Sequence, residues 1–347
     1  MRIAKTLAIA LLAVPVLATA APLPTADELR SLFVVEQQPL DTHLFGMLLI
    51  RNQLDARATL ACDLRRAHPT ALVLTDQEGG IVRDLKNVEP PPAPWEVAGM
   101  TADAFSQQVQ RAGQALADAC IDVDDAPVAE VFNGERSYSN DPKQAASYAA
   151  RFATAMQNVG IAPVLKHYPG KLKSCKPVSS LPGYQLRKGS HEVETCPGSA
   201  TDVWRMADAF PVQSAPMQSA PMVMMSNRVY PGVSSVPAVL DPMYVQRLRK
   251  AGFRGLVMTD ALWEISNRPQ TVVQALKAGA DVILLPQPRQ VDEAMPYILA
   301  ALQSGDLDPA TMRDRLDRVA AFKAAAIARR KPAAVYFFNS LGLIHDG

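Results

Sequence analysis

Apolar and polar positions alternate along this chain in two periods, and the alternation itself predicts the architecture. "TADELRSLF" opens with Thr25 or Asp27 as a cap and continues with apolar residues at helical spacing. "LFGMLLI" (44–50) is a short continuous apolar run and reads as a buried strand, followed by the helical "DARATLACDLRRA". "ALVLT" (71–75) is the next strand, the Pro-rich "VEPPPAPWE" a loop, and "DAFSQQVQRAGQALADAC" a helix. "VDDAPVAEV" is strand-like, and "DPKQAASYAARFATAMQNVG" is a helix with Pro142 in its first turn. "IAPVLKHY" is a strand that leads into an irregular stretch ending near residue 200. Further strands are "APMVMMSNRVY", "GLVMTDAL" and "DVILLP"; between the last two, "PQTVVQALKAGA" is a helix that Gly279 is placed to end. "VDEAMPYILAALQSG" and "DPATMRDRLDRVAAFKAAAIARR" are the last helices.

Strands this short, continuous and rich in Val, Leu, Ile and Met are those of a sheet covered on both faces. Repeated strand–helix alternation without a break in composition predicts one parallel α/β domain. Seven strand candidates are visible, one fewer than a (β/α)8 barrel requires. Polar residues collect where the strands end: Arg51, Asp76, Lys166, Asn227 and Asp260. Both a barrel and a doubly wound sheet place ligands at that end, so this pattern leaves the closure open.

The N-terminus stands apart. Arg2 and Lys5 precede the apolar "TLAIALLAVPVLA", and Ala18-Thr19-Ala20 supplies small residues for cleavage. Residues 1–20 are therefore expected to be a signal peptide, 21–330 the folded unit and 331–347 a tail. The apolar run is short for a membrane span and contains Pro15, so a periplasmic or secreted mature chain without stable membrane insertion is expected. Cys62, Cys120, Cys175 and Cys196 are even in number, which in an oxidising compartment suggests two disulfides. Four cysteines allow three pairings; Cys175 and Cys196 flank the irregular loop, and Cys62 and Cys120 lie on consecutive helices. A net charge of +1 with mixed signs and no basic stripe argues against a nucleic-acid partner. No CxxC or HExxH spacing suggests a metal site, and no cofactor is expected.

Taken in order, the polar stretches carry a resemblance. "LLIRNQLD", "DQEGG", "GERSYSNDP", "KHYPG", "GFRGLVMTDAL" and "ALKAGADVILLP" follow the order and spacing of motifs in glycoside hydrolase family 3, from about residue 44 to residue 325. The chain resembles in particular that family's single-domain bacterial β-N-acetylglucosaminidases. The resemblance implies a single (β/α)8 barrel, closed or imperfect, and a retaining exo-glycosidase acting on a β-linked sugar. N-acetylglucosamine of peptidoglycan fragments is the first such sugar to consider. It implies Asp260 as the nucleophile, with Asp76, Arg136, Lys166 and His167 holding sugar hydroxyls.

This chain also departs from the family pattern. The family continues K-H-F-P-G with H-G and then D-S-H, whose His is the acid/base; here Lys171 replaces the first His and D-S-H is missing. The longer loop "KLKSCKPVSSLPGYQLRKGSHEVETC" holds His191, with Gly189 where the Asp would stand. His191 is the candidate acid/base, and Glu192 or Glu194 the candidate carboxylate beside it; near-neutral imidazole suits that task. The family's R-V-x-R after D-Q-E-G-G reads "IVRD", with Ile81 and Asp84 in place of both arginines, and Asn227-Arg228 replaces A-H. Trp263 and Glu264 follow Asp260 where a second acid and small residues are usual. A second reading follows from these changes: a catalytically weakened barrel that binds cell-wall glycan or a protein partner.

Overall fold

The computed structural model describes residues 22–36, 46–50, 59–187, 193–210, 222–266 and 268–330. The expected signal peptide and the 331–347 tail lie outside the described residues, as do Arg51, His191 and Glu192.

Eight parallel strands form one sheet. In chain order they are β1 (Phe33–Glu36), β2 (Met47–Leu49), β3 (Leu72–Thr75), β6 (Val123–Asp124), β7 (Ala162–Tyr168), β10 (Met222–Met225), β11 (Leu256–Thr259) and β12 (Ile283–Leu284). They run β11-β10-β7-β6-β3-β2-β1-β12 across the sheet. Between its outer members Met258 bridges Val282 in parallel, which closes the sheet into a barrel. Two side chains reinforce this seam: the Thr259 hydroxyl accepts from the Leu284 amide at 3.0 Å, and the Asp281 carboxylate from the Val257 amide at 2.9 Å. Arg249 and Arg318 in turn hold Asp281 at 2.8 and 2.6 Å.

The eighth strand is the one that sequence patterning does not show. Helix α1 (Ala26–Arg30) starts in a capping box between Thr25 and Glu28, as expected, and ends only two residues before β1. Leu29, Leu32, Phe33, Val34 and Val35 are all buried, and only Arg30 and Ser31 separate the apolar positions of the helix from those of the strand. Several expected strands are shorter than read, "GLVMTDAL" being strand only over Leu256–Thr259 and "DVILLP" only over Ile283–Leu284. In "VDDAPVAEV" the strand is confined to Val123–Asp124, and in "APMVMMSNRVY" to Met222–Met225.

The remaining helices pack outside the barrel: α2 (Leu60–Ala67), α3 (Ala102–Asp118), α4 (Pro142–Asn158), α5 (Ala200–Ala209), α6 (Pro242–Lys250), α7 (Gln270–Ala278), α8 (Pro288–Ser304) and α9 (Pro309–Ala328). α4, α6 and α9 begin with Asp-Pro, the Asp side chain accepting from the first-turn amides and the Pro occupying a position whose N–H would be unpaired. Gly279 ends α7 at φ 105°, the left-handed conformation that glycine adopts without strain.

Two small antiparallel pairs decorate the C-terminal end of the barrel. β4 (Gln77–Gly79) and β5 (Val82–Arg83) make a hairpin directly after β3. Gly79, at φ 83°, leaves room there for the Pro91 carbonyl, 2.6 Å from where a Cβ would stand. β8 (Lys176–Pro177) and β9 (Glu194–Thr195) belong to the long loop after β7. Both disulfides expected from position are present, Cys62–Cys120 and Cys175–Cys196, the second joining the two arms of that loop.

Candidate active site

The strand ends position the site. β3 delivers Asp76, followed in the hairpin by Glu78; β6 delivers Asp124 and Asp125; β7 carries Lys166 and His167 in its last turn of pleat; β11 ends at Asp260. Arg136 comes from a short helical turn, Gly134–Arg136.

Lys166 is the centre of the first cluster. Its ammonium lies 2.6 Å from Asp76, 2.8 Å from Glu78 and 3.8 Å from Asp125. Arg136 grips Glu78 with two parallel hydrogen bonds of 2.9 and 2.7 Å, the geometry in which guanidinium and carboxylate bind best. Burial disfavours every one of these charges. It pushes the Glu78 carboxyl up, but Lys166 and Arg136 reverse that and hold it below the ordinary carboxylate range. Burial likewise opposes the Lys166 charge, and Asp125, Asp76 and Glu78 overcome it, so its pKa stands well above the usual lysine value. Asp124 and Asp125 are different. Burial dominates both and raises them well above the usual range, partly offset at Asp124 by the Gln77 amide it accepts and at Asp125 by Lys166. Asp260 contributes to the rise of Asp125, which sets the nucleophile candidate in the same electrostatic neighbourhood.

Asp260 itself is half-buried. Its amide donates to the Met225 carbonyl at 3.1 Å, and its Oδ1 accepts from the Ala261 amide at 2.7 Å. The carboxylate is thereby oriented by main chain at the mouth of the barrel.

His167 belongs to a second cluster. Its Nδ1 is 3.1 Å from Glu130, a fully buried carboxylate. Arg228 binds Glu130 at 2.6 and 3.2 Å and reaches Glu194 at 2.6 Å. Lys171 holds the other Glu194 oxygen at 2.9 Å, and Asn133 donates to Glu130 at 2.6 Å. Burial would raise the Glu130 pKa, yet Arg228 and His167 depress it far below the carboxylate range. This network attaches the loop after β7 to the barrel, with Val229 and Glu194 paired through main chain and Cys196 bonded to Cys175. Further along that loop, Arg187 donates to Glu264 at 3.1 Å and lies over the Trp263 ring at 3.9 Å. The loop therefore folds across the segment that follows Asp260.

Asp76, Arg136, Lys166, His167 and Asp260 thus meet at one end of the barrel, Arg136 through Glu78 and His167 through Glu130. His191 lies outside the described residues. Both oxygens of Glu194 are engaged by cations. Sequence reading includes Glu78 only within the "DQEGG" motif and gives no role to it, to Asp125 or to Glu130. The available signal was acidic residues inside an apolar stretch, "VDDAPVAEV", where an unpaired charge is too costly to bury. Arg228, noted only as a departure from the family pattern, is the cation that answers Glu130.

A parallel (β/α)8 barrel with a nucleophile candidate, paired carboxylates and a buried lysine at the C-terminal ends of its strands has the construction of a barrel enzyme. Residues 37–322 match the family model described as "Glycosyl hydrolase family 3 N terminal domain", and the chain belongs to that family of glycoside hydrolases. It is 30% identical over 298 residues to a beta-hexosaminidase of Stenotrophomonas maltophilia, covering 79% of this chain and 84% of that one. The crystal structure of a family 3 glycosyl hydrolase from Mycobacterium smegmatis is similar, with a TM-score of 0.73 at 27% identity over 86% of this chain and 97% of that one. A family 3 beta-N-acetylglucosaminidase from Paenibacillus sp. shares the fold, with a TM-score of 0.77 at 24% identity over 94% of this chain and 66% of that one.

Proposed function

We propose that this protein is a retaining exo-β-N-acetylglucosaminidase whose first substrate class is peptidoglycan fragments, acting outside the cytoplasm after cleavage at Ala20. The observation that carries the reading is the setting of Asp260. It ends a buried strand, is oriented by two main-chain contacts, and stands beside a lysine-centred carboxylate cluster in a chain of this family. Two disulfides support an oxidising compartment.

A retaining glycosidase needs a carboxylate to attack the anomeric carbon and an acid to protonate the departing oxygen. Asp260 takes the first role. Asp76, at 7% exposure the most accessible of the carboxylates around Lys166, accepts hydrogen bonds from sugar hydroxyls, and Lys166 and His167 border it. Arg136 is a positioning residue in this reading, because its guanidinium is bound side-on to Glu78. His191 supplies the proton from the loop after β7. Both Glu194 oxygens are already engaged by Lys171 and Arg228, so Glu194 is not given that task.

The test is hydrolysis of an aryl β-N-acetylglucosaminide. Asp260→Asn removes nearly all turnover, because an amide cannot form the glycosyl-enzyme ester. A fluorinated slow substrate labels the peptide containing Asp260 in the wild type. Labelling of a different carboxylate overturns the assignment.

A further inference from the structure

Glu130 is a buried carboxylate to which the chemistry proposed above gives no task. It follows β6, and the chain leading to it runs beside β7, the Ala129 amide donating to the Lys166 carbonyl at 2.7 Å. That places the Glu130 side chain against His167. Its Oε1 accepts from Asn133 at 2.6 Å, from the His167 Nδ1 at 3.1 Å and from Arg228 Nη2 at 3.2 Å; its Oε2 accepts from Arg228 Nη1 at 2.6 Å. Arg228 is itself kept from turning away, because its Nε is bound to Glu194 at 2.6 Å and its Nη1 also lies 3.3 Å from the Ser226 hydroxyl.

This arrangement fixes a hydrogen. Burial would raise the Glu130 pKa, but Arg228 and then His167 depress it far below the carboxylate range. An ionised carboxylate accepts hydrogen bonds and has no hydrogen to give, so the one in the Glu130–His167 contact belongs to Nδ1. A neutral imidazole carries a single N–H, and the bond made by one ring nitrogen sets the state of the other. Nε2 is then left with its lone pair. It has no hydrogen-bond partner among the described residues. The next residue along the strand is Lys166, whose ammonium gathers the carboxylates at this end of the barrel.

We infer that Glu130, locked by Arg228, is a positioning residue that holds His167 in its Nδ1–H tautomer, so that Nε2 accepts a hydrogen bond from one hydroxyl of the sugar. The inference rests on the proposed glycosidase reading and deepens it, because it makes that one position demand a donor. A hydroxyl meets the demand. A fluorine of similar size cannot donate, and it leaves the Nε2 lone pair without a partner. Replacing the carboxylate by an amide inverts the arrangement. The carbonyl of a glutamine at position 130 stays with Arg228 Nη1, its NH2 turns to Nδ1, and the ring hydrogen moves to Nε2.

The experiment has two readouts. With nitrogen-labelled histidine in the full chain, long-range proton–nitrogen NMR spectra at about pH 8, above the ordinary histidine range, show which ring nitrogen of each of the five histidines carries the hydrogen. The signal lost in His167→Gln is that of His167. Wild type is expected to show Nδ1 protonated and Nε2 bare, and Glu130→Gln the reverse. In turnover, both enzymes are given an aryl β-N-acetylglucosaminide and its analogues with fluorine in place of the 3-, 4- or 6-hydroxyl, so that the inductive effect of fluorine cancels between them. At one of these positions the penalty in kcat/KM is expected to be about tenfold larger in wild type than in Glu130→Gln. A protonated Nε2 in the wild type, or equal penalties in the two enzymes at every position, overturns the inference. If Glu130→Gln does not fold, wild type with N-acetylglucosamine bound decides: an Nε2 signal displaced by the new hydrogen bond sustains the inference, and one that is unmoved overturns it. A wild type that hydrolyses none of the substrates defeats the glycosidase reading instead, and its spectrum alone then judges the tautomer.

Discussion

Replacing Lys166 by methionine tests whether the polar centre of this barrel is held together as the geometry requires. Methionine keeps the length and the apolar stem and removes only the ammonium. In the native protein that ammonium serves Asp76 at 2.6 Å, Glu78 at 2.8 Å and Asp125 at 3.8 Å, all three buried. Glu78 keeps Arg136 in the variant, whereas Asp125 keeps no cation within 4 Å among the described residues. Breaking a buried pair from one side costs about 3–5 kcal/mol at neutral pH, because the remaining charge is left without compensation. For a domain of this size each kcal/mol moves the melting temperature by about 2 °C, so Lys166→Met melts about 6–10 °C below wild type. The pH dependence gives the sharper test. Asp125, whose folded pKa already stands above the ordinary value, rises further without the ammonium, so the variant loses more stability than wild type as pH rises from about 4 toward 7. Glu78 in the wild type is depressed, so its contribution is present above the ordinary carboxylate value and is lost as pH falls through its folded one. Both effects shrink the difference in acid. Melting curves followed by circular dichroism at pH 7.5 and pH 5 check this. A variant within 2 °C of wild type at pH 7.5, or a gap that widens at pH 5, refutes the reasoning.

Other outcomes follow from neighbouring features. His191→Ala depresses hydrolysis of substrates with poor leaving groups far more than of aryl glycosides with good ones, and azide partly restores turnover; equal activity on every leaving group removes His191 from the acid role. Opening the loop staple with Cys175→Ser and Cys196→Ser together costs about 3 kcal/mol in the chain-entropy model, read as a lower urea midpoint; peptide mapping that finds four free thiols in the native protein rejects the pairing. Arg228→Met leaves Glu130 and Glu194 without their shared cation and raises the Glu130 pKa. Stability then falls by about 3–5 kcal/mol at pH 7 and less at pH 4, which denaturant titration at the two pH values measures.

The sequence reveals the periodic parts of this protein and hides the paired ones. Buried strands such as Leu72–Thr75 and Leu256–Thr259 announce themselves because sheets covered on both faces are continuously apolar. Phe33–Glu36 does not, since its short apolar run follows the helix after a single tight turn at Ser31-Leu32 with no Gly, Pro or Asn to mark the change of period. Within the site, Asp76, Lys166 and Asp260 are legible as polar residues placed where strands end. Glu130 is not, because its acceptability depends on Arg228, 98 positions away, and on a loop that brings Glu194 to the same guanidinium. Partnership across such distances leaves no local pattern. The long loop is the extreme case: its composition resembles an unattached surface segment, and only the fold shows it bound to the barrel by ion pairs, main-chain pairing and a disulfide.

The seam between β11 and β12 has a consequence for how this barrel breathes. Most of the wall is a backbone ladder, with the Asp122 carboxylate also accepting from the Val73 amide at 2.8 Å between β3 and β6. Here the backbone bonds of Thr259, Asp281 and Val282 are supplemented by the hydroxyl of Thr259 and the carboxylate of Asp281, so closure depends in part on the identity of two side chains. A cylinder fastened partly by side chains opens first at that fastening, and local opening sets where amide protons exchange early. The strand beside this fastening is the one that presents Asp260. The setting of Asp260 is therefore coupled to Thr259 and Asp281, and a substitution at either is expected to loosen the strand end that carries this carboxylate.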